Sequence, residues 1–353
     1  MRYPFTFALL TLFLSAAPTL ASAQLLTASG FGTNLSIALS PQSPRPGQQV
    51  LLTAQGVGID LQGSSIVWHA GGNIIAQGVG ANTATLTAGA LGSVVPIEVD
   101  VATQGGGTYS AQATIAPTTL DLLVSSDSYV PPFFRGRAFP SAGTDLLVQA
   151  VPTFVRADGS TIPVSSITFT WKKDGQVLGA LSGAGRSLAV IPIEHVYGNN
   201  TVTVTAVSSD GSLSGEATVS LPTTNPVLDL YEDHPLYGIL FNNALSPLST
   251  IGENEVTFAA IPYFMQAQST ADRQLAYRWS VNGNTVDVSP SDPNEITVNA
   301  NNSSGQAAIA LDLTHSGNFY LEPSGTWNIT LSANGSGSGS GGGSTTSPFA
   351  SPH

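Results

Sequence analysis

The chain has 353 residues, of which only 9% are charged, and it contains no cysteine. Asp and Glu outnumber Lys and Arg by 22 to 10, and the resulting net charge of −12 argues against nucleic acid or an anionic lipid surface as a partner, because both require clustered cations. Without disulfides, each folded unit must be held together by its hydrophobic core, which a unit of about 100 residues can supply.

The N-terminus has the pattern of a secretory signal peptide. One charged residue, Arg2, precedes an apolar run, and Ala21-Ser22-Ala23 forms a small-residue cleavage site before Gln24. The sequence therefore predicts a signal peptide over residues 1–23 and an exported protein of the extracellular space or cell envelope. Because exported domains commonly use disulfides, their absence here favours a bacterial surface protein over a eukaryotic one.

A tryptophan hairpin occurs three times along the chain. In each copy an alternating apolar and polar run reaches a tryptophan, and a turn containing glycine leads into a second short apolar run. The tryptophans are Trp68, Trp171 and Trp279, and their turns are Gly71-Gly72, Asp174-Gly175 and Asn282-Gly283. This period predicts three units, over residues 34–116, 117–222 and 223–333.

Each unit also ends in a second hairpin. In the first unit Ile97, Val99 and Val101 alternate with charged residues, three glycines follow, and an alternating run leads back to Ile115. No stretch has a helical period of useful length. Short strands in units of about 100 residues predict an all-β fold of three tandem antiparallel β-sandwiches, with each tryptophan on a central strand facing the opposite sheet.

The tryptophan hairpins and their glycine turns resemble the immunoglobulin-like and PKD-like modules that bacteria string along exported surface proteins. The resemblance covers nearly all of the chain after the signal peptide. It implies an immunoglobulin-like fold and a cell-surface setting, and it implies no binding residues. The Gly-Asp-Gly signature of PKD repeats and the cysteine pair of antibody domains are both absent from the sequence.

The second and third units share an aromatic insert that the first unit lacks. Tyr129 and Phe133 in the second unit align with Tyr237 and Phe241 in the third, 108 residues later. Because only units with a predecessor carry the insert, we expect each insert to pack on the preceding unit as an interdomain wedge. The alternative is that the loops at 129–134 and 237–241 expose their aromatic residues and bind carbohydrate or protein.

The sequence contains no motif for catalysis or for a cofactor. Phosphate-binding loops, nucleophile elbows, zinc-type His-Glu pairs and calcium loops are missing, and His69 and His195 stand alone. The densest ionisable group is Glu232-Asp233-His234, which fits either a hard cation or a solvated loop. The carboxylates of Glu253 and Glu255 are expected to face solvent.

We therefore expect an exported, non-enzymatic protein without a cofactor, acting as a structural spacer or adhesion module. Its partners would be neighbouring surface proteins or glycans. Residues 334–353 are rich in Gly and Ser and are expected to form a flexible tail. No apolar segment after the signal peptide is long enough to cross a membrane.

Overall fold

A computed structural model describes residues 34–251, 255–299 and 305–331. The predictions of a signal peptide over residues 1–23 and of a Gly/Ser tail over residues 334–353 fall outside the described residues. Within them the structure consists of β-strands and two single-turn 3-10 helices, Val164–Ser166 and Gly179–Leu181. The predicted all-β fold class is confirmed.

The first sandwich consists of two antiparallel sheets that enclose one hydrophobic core. One sheet has the order β1-β2-β5 and the other has the order β4-β3-β6-β7. Buried residues of both sheets, such as Leu52 and Ile97, belong to the same apolar cluster. Its strands are β1 (Asn34–Ser40), β2 (Gln49–Val57), β3 (Ser65–Ala70), β4 (Asn73–Val79), β5 (Thr83–Thr87), β6 (Val95–Ala102) and β7 (Thr108–Ile115).

The second sandwich repeats this arrangement. Its sheets have the orders β13-β9-β8 and β11-β10-β14-β15, and the short strand β12 also pairs with β10. Its strands are β8 (Thr119–Ser126), β9 (Asp145–Thr153), β10 (Ile167–Lys173), β11 (Gln176–Val177), β12 (Gly183–Ala184), β13 (Leu188–Pro192), β14 (Asn199–Ser208) and β15 (Ser214–Pro222). Two facing antiparallel sheets with this strand order form an immunoglobulin-like sandwich.

The third sandwich has the same two sheets with one strand added to each. Their orders are β17-β16-β19-β22 and β18-β24-β23-β20-β21, in which β18 runs parallel to β24. The added strands β17 and β18 pair with strand edges that would otherwise be open. Its strands are β16 (Val227–His234), β17 (Gly238–Ala244), β18 (Leu248–Ile251), β19 (Glu255–Tyr263), β20 (Leu275–Val281), β21 (Asn284–Val286), β22 (Glu295–Asn299), β23 (Gly305–His315) and β24 (Ser324–Leu331).

The three tryptophans are buried at equivalent places, on β3, β10 and β20. The indole N–H of each donates to a backbone carbonyl in the segment that follows the hairpin. The acceptors are the carbonyls of Ala81 at 2.8 Å, Arg186 at 2.8 Å and Pro293 at 3.0 Å. Each indole ring therefore fills a core. Its N–H group has the hydrogen-bond partner that a buried tryptophan usually requires.

The turns after the tryptophan strands adopt the backbone conformation that their residues favour. Asp174 and Gly175 both have positive φ, of 49° and 83°, and Asn282 and Gly283 have φ of 52° and 80°. Two consecutive positive φ values are typical of type I′ turns, whose twist matches that of the flanking strands. The Asp174 carboxylate also accepts the Thr201 N–H at 2.9 Å, so the turn is tied to β14.

Candidate functional site

The most elaborate contact between sandwiches is formed by residues 127–144, here called the junction loop, which connects β8 to β9. The Tyr129 N–H donates to the Met265 carbonyl at 2.8 Å, and the Phe264 N–H donates to the Tyr129 carbonyl at 2.7 Å. Two successive residues, Phe264 and Met265, thus oppose the single residue Tyr129, and Phe264 has φ of 61°, which is the pattern of a β-bulge. The main chain of the junction loop is therefore bonded directly to the third sandwich.

Aromatic rings pack beside these backbone bonds. Phe139 meets Phe264 edge-on, with 5.5 Å between ring centroids, and Phe134 lies 5.8 Å from Tyr263 in a tilted arrangement. Pairs in these orientations are more favourable than face-to-face stacks. The Tyr231 and Tyr263 hydroxyls are 2.8 Å apart and hydrogen-bonded, so their polar ends are satisfied within the cluster.

Burial controls the ionisation of the junction tyrosines. It is the largest cause that raises the pKa of Tyr231, and the hydrogen bond with Tyr263 adds to it. Burial likewise raises the pKa of Tyr129 and Tyr263 above the ordinary value for a phenol. The phenols are therefore neutral at physiological pH, and the aromatic cluster at the junction carries no charge.

A second contact at this junction is made by an asparagine. The Asn318 side-chain N–H2 donates to the Ala142 carbonyl at 2.8 Å and to the Gln266 side-chain oxygen at 3.0 Å. Gly143, next to Ala142, has φ of 85°, and a Cβ there would overlap the Asn318 amide and lie 2.5 Å from the Gln266 oxygen. A larger residue at position 143 would therefore have a strained backbone and would displace the Asn318 and Gln266 side chains.

The predicted direction of the wedge is wrong for the insert of the second sandwich. In the third sandwich, by contrast, Ile239 of the insert joins the apolar cluster that contains Tyr129 and Phe134 of the preceding sandwich. The junction loop of the second sandwich packs on the following sandwich and not on the preceding one. The reason is geometric: Thr118, just before β8, is bonded to Pro44 of the first sandwich. Since β8 then runs the length of its sheet, the loop after it must lie at the far end.

Two of the four predicted wedge residues are largely exposed. Phe133 is 95% exposed and Tyr237 is 77% exposed, so neither is buried between sandwiches. The Tyr237 ring instead lies 4.7 Å from that of His234 in its own hairpin. Phe241 is 38% exposed and contacts Tyr231 at 5.5 Å. Of the four residues, Tyr129 is the one that reaches across a junction.

The junction between the first and second sandwiches is polar. The Arg45 guanidinium donates to the Leu120 carbonyl and to the Asp121 carboxylate, each at 2.9 Å. Arg45 and Asp121 are each about half exposed, so the ion pair contributes little to stability. The Ser43 and Ser214 hydroxyls are hydrogen-bonded across the junction, 2.8 Å apart. This junction has hydrogen bonds but no aromatic cluster among the described residues.

The ionisable residues named from the sequence do not form a metal site within the described residues. The His234 ring nitrogen Nδ1 accepts the Leu236 N–H at 3.1 Å and so helps to form the hairpin turn. His69 lies 3.5 Å from Asp100 near the surface, and His195 is exposed. The Glu255 carboxylate accepts a hydrogen bond from Asn299 at 2.7 Å, and Glu253 lies outside the described residues.

A groove on the third sandwich, at residues 286–297, concentrates carboxylates over an apolar floor. It has a volume of 250 Å³. Its floor is made by the half-buried Val286 and Val288, beside the fully buried Ile296, and its carboxylates are those of Asp287, Asp292 and Glu295. Burial is the main cause that raises the pKa of Glu295, and the negative charges of Asp233 and Asp292 raise it further. The ionised Glu295 is therefore unfavourable in the folded protein.

Replacing Glu295 by glutamine is expected to stabilise the third sandwich at pH 7. Because the pKa of Glu295 is raised on folding, its ionisation lowers stability as pH rises from the unfolded value of 4.5 through the folded value. Glu295→Gln should therefore raise the melting temperature at pH 7, and the gain should disappear below pH 4. Calorimetry at both pH values checks this, with exposed Glu322→Gln as the control. A gain of equal size at both pH values would contradict the electrostatic explanation.

No protein-family model matches the sequence, and no curated protein matches it. Solved structures that match include tandem fibronectin-III-like modules and tandem immunoglobulin domains. Among the described residues, no helix has the length and apolar character needed to span a membrane.

Three of these structures illustrate the range of proteins that the chain is similar to. The three N-terminal domains of the bacteriophage RB49 highly immunogenic outer capsid protein are 12% identical, with 85% of this chain and 99% of that chain covered and a TM-score of 0.24. The central fibronectin-III array of RIM-binding protein is 11% identical, with 86% and 98% covered and a TM-score of 0.31.

The third is the Bacteroides ovatus protein SGBP-B of a mixed-linkage glucan utilization locus, in complex with a heptasaccharide. It is 14% identical, with 85% of this chain and 71% of that chain covered and a TM-score of 0.23. At such scores the matches carry no argument about function. The fold assignment rests on the strand orders given above.

Proposed function

We propose that this protein is an exported, non-enzymatic surface or extracellular protein whose immunoglobulin-like sandwiches act as a spacer or adhesion module. The observation that carries the proposal is the junction between the second and third sandwiches. There the backbone bonds of Tyr129, the aromatic cluster and Asn318 together fix one sandwich against the next. Domains within a chain move relative to each other unless their interface is extensive and apolar, so this junction favours a mechanical role.

The residues away from the junction support a non-enzymatic role. Catalysis requires a nucleophile, an acid-base pair or a metal held in a concave site. The histidines of the described chain lie singly, on strand ends or loops. The carboxylate-rich groove at residues 286–297 has no histidine or lysine in its lining. Export is proposed because residues 1–23 have the pattern of a secretory signal peptide.

The spacer function is tested by solution scattering of the protein and of a Phe134→Ser, Phe139→Ser double variant. Loss of both rings removes the contacts with Tyr263 and Phe264, so the variant should sample a wider range of interdomain angles. Each sandwich should retain its own calorimetric transition, because neither ring belongs to one of the three sandwich cores. Replacing Phe134 and Phe139 should therefore loosen the junction between the sandwiches while each sandwich remains folded.

The matched control for that experiment is Tyr237→Ser, Phe241→Ser, which also replaces two aromatic residues by serine. Tyr237 is exposed, and the Phe241 ring lies 5.5 Å from that of Tyr231 within the third sandwich. The control should scatter like the parent protein. If the Phe134→Ser, Phe139→Ser variant also scatters like the parent, the junction does not set the interdomain angle and the spacer proposal fails.

The exposure of Phe133 and Tyr237 favours a second candidate function, a carbohydrate- or protein-binding module that uses the loops at 129–134 and 237–241. Exposed aromatic residues are frequent energetic centres of binding surfaces. Under this function, replacing Phe133 or Tyr237 by serine would abolish retention on a glycan or protein ligand without changing the scattering. A glycan array together with a pull-down would separate the two functions.

A further inference from the structure

The tip of the junction loop, residues 133–137, projects an aromatic side chain into solvent and is here called the knob. Phe133 is 95% exposed and has φ of 66°, in the left-handed region that phenylalanine rarely adopts. The knob is anchored, because Phe134 within it and Phe139 just after it pack on the third sandwich. A strained backbone that displays a bare aromatic ring from a rigid base is a common feature of binding sites.

The knob is also positively charged within an acidic protein. Arg135 and Arg137 are both exposed, and residues 128–144 contain no Asp or Glu, although the whole chain carries a net charge of −12. The Arg137 guanidinium lies 5.5 Å from the Phe139 ring centroid, which holds it beside the knob. Neither arginine forms an ion pair within the described residues. The knob therefore suits an acidic partner.

The shape of the knob favours a protein partner over a polysaccharide. A projecting side chain must enter a concave site to be desolvated, whereas sugars are bound in clefts of the protein that recognises them. Phenylalanine and arginine are also enriched in protein interfaces, where they act as anchors. The expected partner surface is a small apolar pocket surrounded by carboxylates.

This chain itself contains such a surface, the groove at residues 286–297. Its half-buried Val286 and Val288 give an aromatic ring an apolar surface, and its carboxylates suit arginines. Within the described residues, Asp287, Asp292 and Glu295 have no ion-pair partner. A larger cleft of 650 Å³ between the first and second sandwiches is less suitable, because it already contains a cation, Arg156, which lies 3.5 Å from Asp210.

We propose that the knob of one molecule docks into the 286–297 groove of a second copy, with Phe133 on the aliphatic floor and Arg135 and Arg137 facing the three carboxylates. The arginines would relieve the repulsion among carboxylates that have no cation of their own. Two reciprocal contacts related by a two-fold axis would close a dimer, and single contacts would propagate a filament. A contact of one loop tip is small, so the association should be weak and sensitive to salt.

Sedimentation velocity over a range of protein and salt concentrations tests this inference. The protein should self-associate with rising concentration, and added salt should weaken the association. Arg135→Glu, Arg137→Glu should weaken it by tenfold or more, and so should Asp287→Lys, Asp292→Lys. A mixture of these two variants should associate again, because the reversed charges are complementary in the mixed contact.

The matched control is Arg273→Glu, Arg278→Glu, which makes the same charge change at exposed positions outside the knob. It should associate like the parent, and calorimetry should show that all variants are folded. Three results would each overturn the inference: a monomeric parent at every concentration and salt, unchanged association of the knob variant, or no association in the mixture. Binding of the knob to a glycan or another protein by a monomeric parent would assign it a different partner. The spacer proposal is independent, because a monomer can have a fixed junction.

Discussion

Replacing Trp171 by alanine is expected to lower the free energy of unfolding of the second sandwich by about 3–5 kcal/mol, the usual range for a buried large aromatic residue. Trp171 is fully buried among Leu146, Val148 and Val204, and its loss leaves a cavity at the centre of the core. It also removes the hydrogen bond to the Arg186 carbonyl, which leaves a polar group unpaired. A domain with ordinary stability would be close to unfolding.

Calorimetry of the whole chain measures this loss, because the transition of the second sandwich should move to lower temperature while the other two stay in place. The control is Leu123→Ala on β8 of the same sandwich, where the side chain is 63% exposed. It should change stability by no more than about 0.5 kcal/mol, as surface substitutions do. A loss below about 1 kcal/mol for Trp171→Ala would show that the indole is not the centre of the core.

Replacing Gly143 by alanine is expected to open the junction between the second and third sandwiches. The added Cβ would displace the Asn318 and Gln266 side chains and break the bond from Asn318 to the Ala142 carbonyl. Each lost hydrogen bond costs roughly 1 kcal/mol, and 1.4 kcal/mol corresponds to tenfold. The amides of Tyr129 and Phe264, which are bonded across the junction, should therefore exchange with solvent about fivefold faster.

Gly159→Ala is the matched control for this experiment. Gly159 has φ of 82°, close to the 85° of Gly143, but a Cβ at position 159 would meet nothing within 4 Å. Both variants therefore carry the same backbone strain, and only Gly143→Ala pushes on the third sandwich. Equal exchange rates of the Tyr129 and Phe264 amides in the two variants would show that the junction tolerates the added methyl group.

The architecture within each sandwich could be predicted from the sequence because its causes are local. Period-two alternation determines which face of a strand is buried, as for Ile97, Val99 and Val101. Asp174-Gly175 and Asn282-Gly283 can adopt the positive φ values that type I′ turns require. The tryptophans identify equivalent strands of the sandwiches, because each of them lies the same number of residues before its turn.

The contacts between sandwiches could not be predicted in the same way. Asn318 bonds to Ala142, 176 residues away, and no periodic pattern connects two such positions. The presence of an insert only in units with a predecessor predicts that it packs on the preceding unit. In the second sandwich, however, the direction of β8 determines which end of the sandwich the loop lies at. Nor does the sequence distinguish Phe133, which is exposed, from its neighbour Phe134, which packs on Tyr263.

A distance between the second and third sandwiches measures whether the junction loop holds them in one relative orientation. The chain has no cysteine, so spin labels can be attached uniquely through Gln176→Cys on β11 and Thr285→Cys on β21, both at exposed positions. A fixed junction should give one narrow distribution of label distances, and the Phe134→Ser, Phe139→Ser double variant should give a broader one. A broad distribution in the parent protein, or an equally narrow one in the variant, would contradict it.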